Sequence, residues 1–209
     1  MASQTKVLNL YAGIGGNRKR WTDVDVTAIE LDESRAECYR DHFPDDTVVE
    51  ADAHEYLLDH FDEYDFIWAS PPCPTHSELR QLVNPNVDPV YPDMKLYQEI
   101  LLLQHNFDGK WAVENVDPYY EPLIDAPIVG RHRVWSNFHV PAVSYEPDNI
   151  KRQDGTWEEM AKKYGFDVEG YGWNRREKRK VLNNCVDPRL GEHVYRASKD
   201  KTKQATLFE

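Results

Sequence analysis

The 209 residues, 40% of them apolar, suffice for one domain with its own core and a small appended lobe, and are too few for a second full domain. A net charge of -12 speaks against a chain that is basic throughout, but the charge is uneven: residues 1–130 hold 9 Lys/Arg against 25 Asp/Glu, and residues 131–209 hold 16 against 12. The acidic part reads as a solvated surface, so any phosphate-binding face belongs to the C-terminal part.

The chain opens with Lys6-Val7-Leu8-Asn9-Leu10-Tyr11, a buried-strand pattern running straight into Ala12-Gly13-Ile14-Gly15-Gly16. The expected sequel is a helix whose N-terminus, with its free N–H groups, faces a ligand across the glycine turn. Position 18 is Arg, so the spacing is not that of the dinucleotide fingerprint. Val26 to Glu30 reads as a second strand ending in a carboxylate placed to hold a ribose, or else in a solvated acid. Glu33 to Phe43 follows as an amphipathic helix closed by Pro44. Thr47 to Glu50 is a third strand leading to Asp52, whose carboxylate suits an adenine amino group or is, like Glu30, a solvated acid.

Strand four, Tyr64 to Trp68, delivers Ala69-Ser70-Pro71-Pro72-Cys73-Pro74. Each proline fixes φ and lacks an N–H, so neither sheet nor helix continues and Cys73 stands where the strand stops. In an open α/β sheet that edge is where ligands sit, so Cys73 reads as a nucleophile rather than a core thiol. Thr75 to Tyr91 is polar and aperiodic, a loop beside it. Asp93 to Asn106 predicts a helix with Met94, Tyr97, Ile100 and Leu101 on one buried face. Lys110 to Val116 is a further strand carrying Glu114 inside an apolar run. A carboxylate there needs either a task or an ion-pair partner, which Arg131 or Arg133 can supply.

The longest purely aliphatic run is Ile100–Leu103 and residues 1–6 form no signal core, so the expectation is a cytoplasmic protein with no membrane association. Cys38, Cys73 and Cys185 are odd in number and far apart. They fit neither a disulfide framework nor a metal site and imply a reducing compartment.

Taken together these motifs resemble the cytosine-C5 DNA methyltransferases. Leu10-Tyr11-Ala12-Gly13-Ile14-Gly15-Gly16 is similar to that family's cofactor turn, Glu30-Leu31-Asp32 to its ribose motif, and Asp52-Ala53 to its adenine-contacting stretch. Pro71-Pro72-Cys73 with Ser77 resembles the nucleophile motif, Glu114-Asn115-Val116 the glutamate motif, and Arg131-His132-Arg133 the paired arginines. Asn183-Asn184-Cys185-Val186-Asp187-Pro188 resembles a late motif that returns to the cofactor, although Asn183 stands where the family commonly has glycine. Pro74-Thr75-His76 departs from the family's usual Gln-Gly-Phe type of stretch.

The resemblance implies a Rossmann-like, S-adenosylmethionine-dependent α/β fold. It divides the chain into a catalytic and cofactor-binding core over 1–140, a small target-recognition segment over 141–180, and a return to the core with a tail over 181–209. Tyr11, Ala12, Gly13, Gly15, Gly16, Glu30, Leu31, Asp52, Ala53, Pro72, Asn184 and Val186 would bind the cofactor. Cys73, Glu114, Arg131 and Arg133 would be catalytic, and Ser77, Arg175, Arg176, Arg179 and Lys180 would meet DNA. The implied reaction adds Cys73 to C6 of a flipped cytosine, so that C5 takes the methyl group, while the arginines hold the O2 edge or steady the thiolate. The brevity of the chain is most like that of compact, solitary enzymes of microbial viruses, which would act as monomers on double-stranded DNA in an infected cell's cytoplasm. A tRNA cytosine-C5 methyltransferase and a catalytically silent nucleic-acid binder of the same fold remain the alternatives.

The interval from Pro141 to Lys180 holds Lys151-Arg152, Lys162-Lys163 and Arg175-Arg176-Glu177-Lys178-Arg179-Lys180, with Trp157, Tyr164, Tyr171 and Trp173 interleaved. The charges suit phosphate contact or a solvated helix. The aromatics suit stacking at an extruded base or a small core of their own. With so few side chains left to reach base edges, the expected target is short, roughly two to four base pairs.

Overall fold

The computed structural model describes residues 4–78, 88, 90–143 and 156–200. Its centre is β1 (Thr5–Leu10), flanked by parallel strands on both sides, in which Val7, Leu8 and Leu10 are fully buried because helices cover both faces of the sheet. β2 (Val24–Ile29) and β3 (Thr47–Val49) extend the sheet one way. β4 (Phe66–Ala69) and β5 (Lys110–Val116) extend it the other way, all parallel. β6 (Ile128–Val129) and β7 (His132–Ser136) complete the far edge antiparallel, giving the order β3-β2-β1-β4-β5-β7-β6. The strand order reverses between β1 and β4, so the crevice beyond their C-terminal ends is the place for a ligand.

Helices cover both faces. On one, α2 (Ala53–His60) and α3 (Lys95–Asn106) pack Leu57, Leu96, Tyr97, Ile100 and Leu103 against Leu8, Ile67, Trp111 and Trp135. On the other, α6 (Pro188–Ser198) sets Leu190, Val194 and Tyr195 against Val7, Phe66 and Trp68. Beside it, α1 (Glu33–His42), α4 (Trp157–Tyr164) and α5 (Arg175–Asn184) share a third cluster around Tyr39, Phe43, Met160 and Leu182.

Three expectations change here. The buried face of α3 is Leu96, Tyr97, Glu99, Ile100 and Leu103, whereas Met94 and Leu101 are each 44% exposed. The glycine turn leads into a single 3-10 turn, Asn17–Arg20, instead of an α-helix. Its extension is blocked because Trp21 dives into the core, donating from Nε1 to the carbonyl of Gly191 at 3.0 Å. Gly191 packs so closely on Asn17 that a Cβ there would lie 2.2 Å from the Asn17 carbonyl oxygen. The helix α2 has no counterpart in the sequence reading, although Asp52 caps it by accepting from the amides of His54 (2.8 Å) and Glu55 (3.2 Å).

Candidate active site

The glycine turn begins on Tyr11, a non-glycine residue at φ +55, and continues through Gly13 at φ +56. A Cβ on Gly13 would meet nothing within 4 Å, so this backbone faces open space. Gly15 and Gly16 have a different role. A Cβ on Gly15 would lie 2.3 Å from the Phe43 ring, and one on Gly16 would lie 2.3 Å from both Cys185 Sγ and the Val186 carbonyl oxygen. Close packing of the protein on itself leaves no room for a side chain at these two positions. The same contacts bring the late motif back to the turn.

Glu30, just past the end of β2, is buried and spans the turn. Its Oε2 accepts from the Gly13 amide at 2.8 Å and its Oε1 from the Asp32 amide at 2.9 Å, with Arg35 Nη1 3.7 Å away. Leu31 beside it is 70% exposed, an apolar side chain standing at the crevice. Asp52 Oδ2 lies 3.6 Å from Lys95 Nζ. Burial opposes its ionisation, but the Glu55 and His54 amides and Lys95 outweigh that and hold its carboxyl below the usual range. Tyr11 reaches under this region: its hydroxyl donates to Glu99 Oε1 at 2.5 Å, and His54 Nδ1 meets the same oxygen at 2.9 Å. Burial pushes the Glu99 carboxyl up against the pull of these two partners. Glu99 and His54 were not among the expected site residues; a glutamate inside an apolar helical stretch was the available signal. Ala53 and Val186 place their side chains in core clusters, whereas Pro72 and Asn184 are exposed.

The nucleophile turn is tied to the glutamate strand by two bonds between adjacent motifs. Ser70 Oγ donates to Glu114 Oε2 at 3.0 Å, and Asn115 Nδ2 donates to the Pro71 carbonyl at 3.0 Å. Trp68 Nε1 donates in turn to Ser70 Oγ at 2.8 Å. Beyond Cys73 the chain curls back, the amides of His76 and Ser77 both donating to the Cys73 carbonyl at 3.0 and 3.1 Å. Ser77 forms a bridge with Pro118. His76, in the stretch that departs from the family pattern, is buried and meets Tyr120 Oη from Nδ1 at 2.6 Å. Burial keeps its imidazole below the ordinary range. Residues 79–87 and 89 of the expected loop lie outside the described residues.

The expected partner of Glu114 is corrected. Arg133 is held at Asp117 Oδ1 (2.6 Å) and Asp125 Oδ1 (2.8 Å). Arg131 precedes β7, in the turn. It is His132 that faces the glutamate, Nδ1 lying 3.5 Å from Oε1. The register explains the exchange: Glu114 pairs with Val134 and Asn115 with Arg133, so alternation puts His132 on the face of Glu114 and Arg133 on the other.

In the C-terminal part, Arg175, Arg176 and Lys180 are exposed on α5 and Arg179 is half-buried. Lys178 turns inward, its ammonium 4.4 Å from the Trp157 ring centre and paired with Glu169. The aromatics are engaged with the protein. Tyr164 is buried, Tyr171 donates to Asp41 Oδ2 at 2.9 Å, and Trp173 Nε1 donates to Ser34 Oγ at 2.8 Å, all packed against the third cluster. Stacking at an extruded base is therefore replaced by packing on α1. Lys151 and Arg152 lie outside the described residues.

The thiols separate by access. Cys38 and Cys185 are buried, burial pushing the Cys38 thiol up to about 12, while Cys73 is half-buried. Brief treatment of the native protein with iodoacetamide is expected to alkylate Cys73 first, with at least tenfold slower reaction at the other two, as read by peptide mass spectrometry. Equal labelling of all three would contradict this placement.

A seven-stranded sheet of this order, with a glycine turn after β1 and carboxylates after β2 and β3, defines a Rossmann-like methyltransferase fold. The fold is shared with the Entamoeba histolytica methyltransferase EhMeth, which superposes with a TM-score of 0.60 at 12% identity over 96% of this chain and 99% of that one. Residues 5–87 match the family model for C-5 cytosine-specific DNA methylase, a stretch that includes the glycine turn, Glu30, Asp52 and Cys73. A mutant form of Spodoptera frugiperda DNMT2 aligns at 22% identity over 54% of this chain and 36% of that one, with a TM-score of 0.38. No curated protein sequence matches the chain. The fold and the family match support a cytosine methyltransferase. Among the described residues no helix is long and apolar enough to cross a membrane, and no cluster of His, Cys, Asp and Glu could hold a metal.

Proposed function

We propose that the protein is an S-adenosylmethionine-dependent DNA cytosine-C5 methyltransferase in which Cys73 forms the covalent adduct. The observation that carries this reading is the direct bonding of the two motifs, Ser70 to Glu114 and Asn115 to Pro71, which ties the turn carrying the half-buried thiol of Cys73 to the strand carrying the buried Glu114 carboxylate. The open backbone at Gly13, the exposed Leu31, and the Glu30 and Asp52 carboxylates suit a nucleoside cofactor with an apolar adenine face. When bound, S-adenosylmethionine supplies an electrophilic methyl group.

Cytosine C5 is too electron-poor to take that methyl unaided. Cys73 Sγ, as thiolate, adds to C6 of a cytosine swung out of the duplex, while Glu114 holds the N3 edge and supports its protonation, so electron density moves to C5. After transfer the C5 proton is lost to water, the N3 proton returns to Glu114, and the Sγ–C6 bond breaks, returning the thiolate. Expression in a host free of cytosine methylation, followed by mass spectrometry of DNA and RNA nucleosides, tests the reading. It requires 5-methylcytosine in DNA. The mark in RNA alone would replace DNA by RNA as substrate, and its absence from both would overturn the proposal.

Double-stranded DNA is the proposed partner, met by the exposed face of α5. Replacing Arg175, Arg176, Arg179 and Lys180 together by alanine is expected to weaken binding on every sequence alike and to lower the slope of log affinity against log salt by about three. The methylated target, short and permissive at roughly two to four base pairs, should not change. Fluorescence anisotropy across a salt series reads the first effect and bisulfite mapping the second. A strict site of six or more base pairs, or a salt slope untouched by the substitutions, would contradict this surface.

A further inference from the structure

Glu99 is wholly buried in α3, yet its carboxylate is only half engaged. One oxygen, Oε1, takes both the Tyr11 hydroxyl at 2.5 Å and His54 Nδ1 at 2.9 Å, and the other, Oε2, has no hydrogen-bond partner among the described residues. A carboxylate enclosed with half its accepting capacity unfilled is costly to the fold, so packing alone does not account for it. Its two partners stand on the two arms of the proposed cofactor crevice. Tyr11 opens the glycine turn and, at φ +55, is one of two non-glycine residues among the described ones in the left-handed region, a conformation that persists only where the surroundings hold it. His54 lies in the first turn of α2 and donates its amide to Asp52 at 2.8 Å. One helical turn before Glu99, Lys95 on the same face of α3 lies 3.6 Å from the Asp52 carboxylate.

We propose that Glu99 is the positioning residue of the cofactor site: it ties Tyr11 and His54 to α3 and so sets the spacing between the glycine turn and Asp52 into which S-adenosylmethionine fits. The inference rests on the methyltransferase reading above. The bonds to Tyr11 and His54 join residues 88 and 45 apart in the chain, so neither the turn nor the start of α2 can supply this spacing on its own. The Glu99 side chain has no exposed surface, and it acts through its two partners without touching the ligand. Cys73 and Glu114 are held by bonds of another set, Ser70 to Glu114 and Asn115 to Pro71. The effect of Glu99 therefore falls on cofactor affinity and not on the methyl-transfer step.

The test is calorimetric titration of S-adenosylmethionine into the wild type, Glu99→Leu, Glu99→Gln and Tyr11→Phe, together with amide hydrogen exchange of the ligand-free proteins. Glu99→Leu removes the acceptor, and its dissociation constant should rise about tenfold or more while turnover at saturating S-adenosylmethionine stays within about threefold of wild type. Glu99→Gln keeps an acceptor oxygen and should bind within about threefold of wild type. Tyr11→Phe, which removes one hydroxyl and leaves the ring, should weaken binding about fivefold on its own and less than about twofold in a Glu99→Leu background. Without ligand, the amides of residues 11–16 should exchange about tenfold faster in Glu99→Leu, with those of β1, β4 and β5 unchanged, a readout that needs neither cofactor nor activity. Unchanged affinity and exchange in Glu99→Leu, additive losses in the double variant, or affinity, saturated turnover and strand protection falling together would overturn this inference alone. A wild type that binds no S-adenosylmethionine overturns the methyltransferase reading with it.

Discussion

Cys73→Ser is expected to abolish methyl transfer, lowering turnover by at least a thousandfold, while melting temperature and S-adenosylmethionine affinity stay close to wild type. A serine hydroxyl is far less readily ionised than a thiol near neutral pH, so the attacking species at C6 is nearly lost. The fold has little to lose. Cys73 is only half-buried, and the turn that carries it is set by backbone bonds from His76 and Ser77 to its carbonyl and by the anchoring of Pro71 to Asn115, all of which serine keeps. Radiolabelled methyl transfer alongside calorimetry separates the two quantities. Near-normal turnover by the serine variant would remove the covalent mechanism.

The second large effect is expected at Glu30. Its carboxylate receives the amides of Gly13 and Asp32, so Glu30→Ala leaves two turn amides without their acceptor at a residue that was only 6% exposed. Each buried donor left unmade costs about 1–3 kcal/mol. The Gly13 backbone that faces open space would then lose the brace that shapes it. Affinity for S-adenosylmethionine should fall about tenfold to a hundredfold, which corresponds to about 1.4–2.7 kcal/mol, and the set of methylated cytosines should stay the same. Asp52→Ala should weaken binding less, while also removing the cap of α2 at a cost of about 1 kcal/mol. Calorimetric affinities unchanged in both variants would show that the cofactor lies elsewhere.

What the sequence discloses and what it hides follow from how local each cause is. β1, β4 and β5 were legible because strands covered on both faces read as continuous apolar runs, and β5 falls at Lys110–Val116 as expected. The face of α3 was not legible: the run Ile100–Leu103 is apolar all round, and only its neighbours decide that Leu103 turns in and Leu101 out. The 3-10 turn after the glycines ends where Trp21 enters the core and bonds Gly191, a residue far along the chain that also lies against Asn17. Gly15 and Gly16 were rightly placed in a turn, but their reason, contact with Phe43 and with Cys185 and Val186, is tertiary.

The site shows the same division. The motif order brought Cys73 and Glu114 to neighbouring strands' ends, whereas the partner of Glu114 depended on the antiparallel register of β7. Alternation correctly puts Arg131 and Arg133 on one parity, but the sequence does not say which parity meets the glutamate, and His132 between them takes that place. Likewise, the aromatics of 157–173 carried no mark of their partners. Ser34 and Asp41 on α1 claim Trp173 and Tyr171 by hydrogen bonds that only the fold creates.

The central claim, a covalent bond between Cys73 and C6 of cytosine, is tested most directly by trapping. DNA in which target cytosines carry fluorine at C5 has no C5 proton to release after methyl transfer, so the adduct cannot collapse. Incubated with this DNA and S-adenosylmethionine, then digested and read by mass spectrometry, the protein is predicted to carry one methylated fluorocytosine on the peptide containing Cys73. An adduct on another residue, or methyl transfer to ordinary cytosine with no adduct on the fluorinated base, would contradict the account.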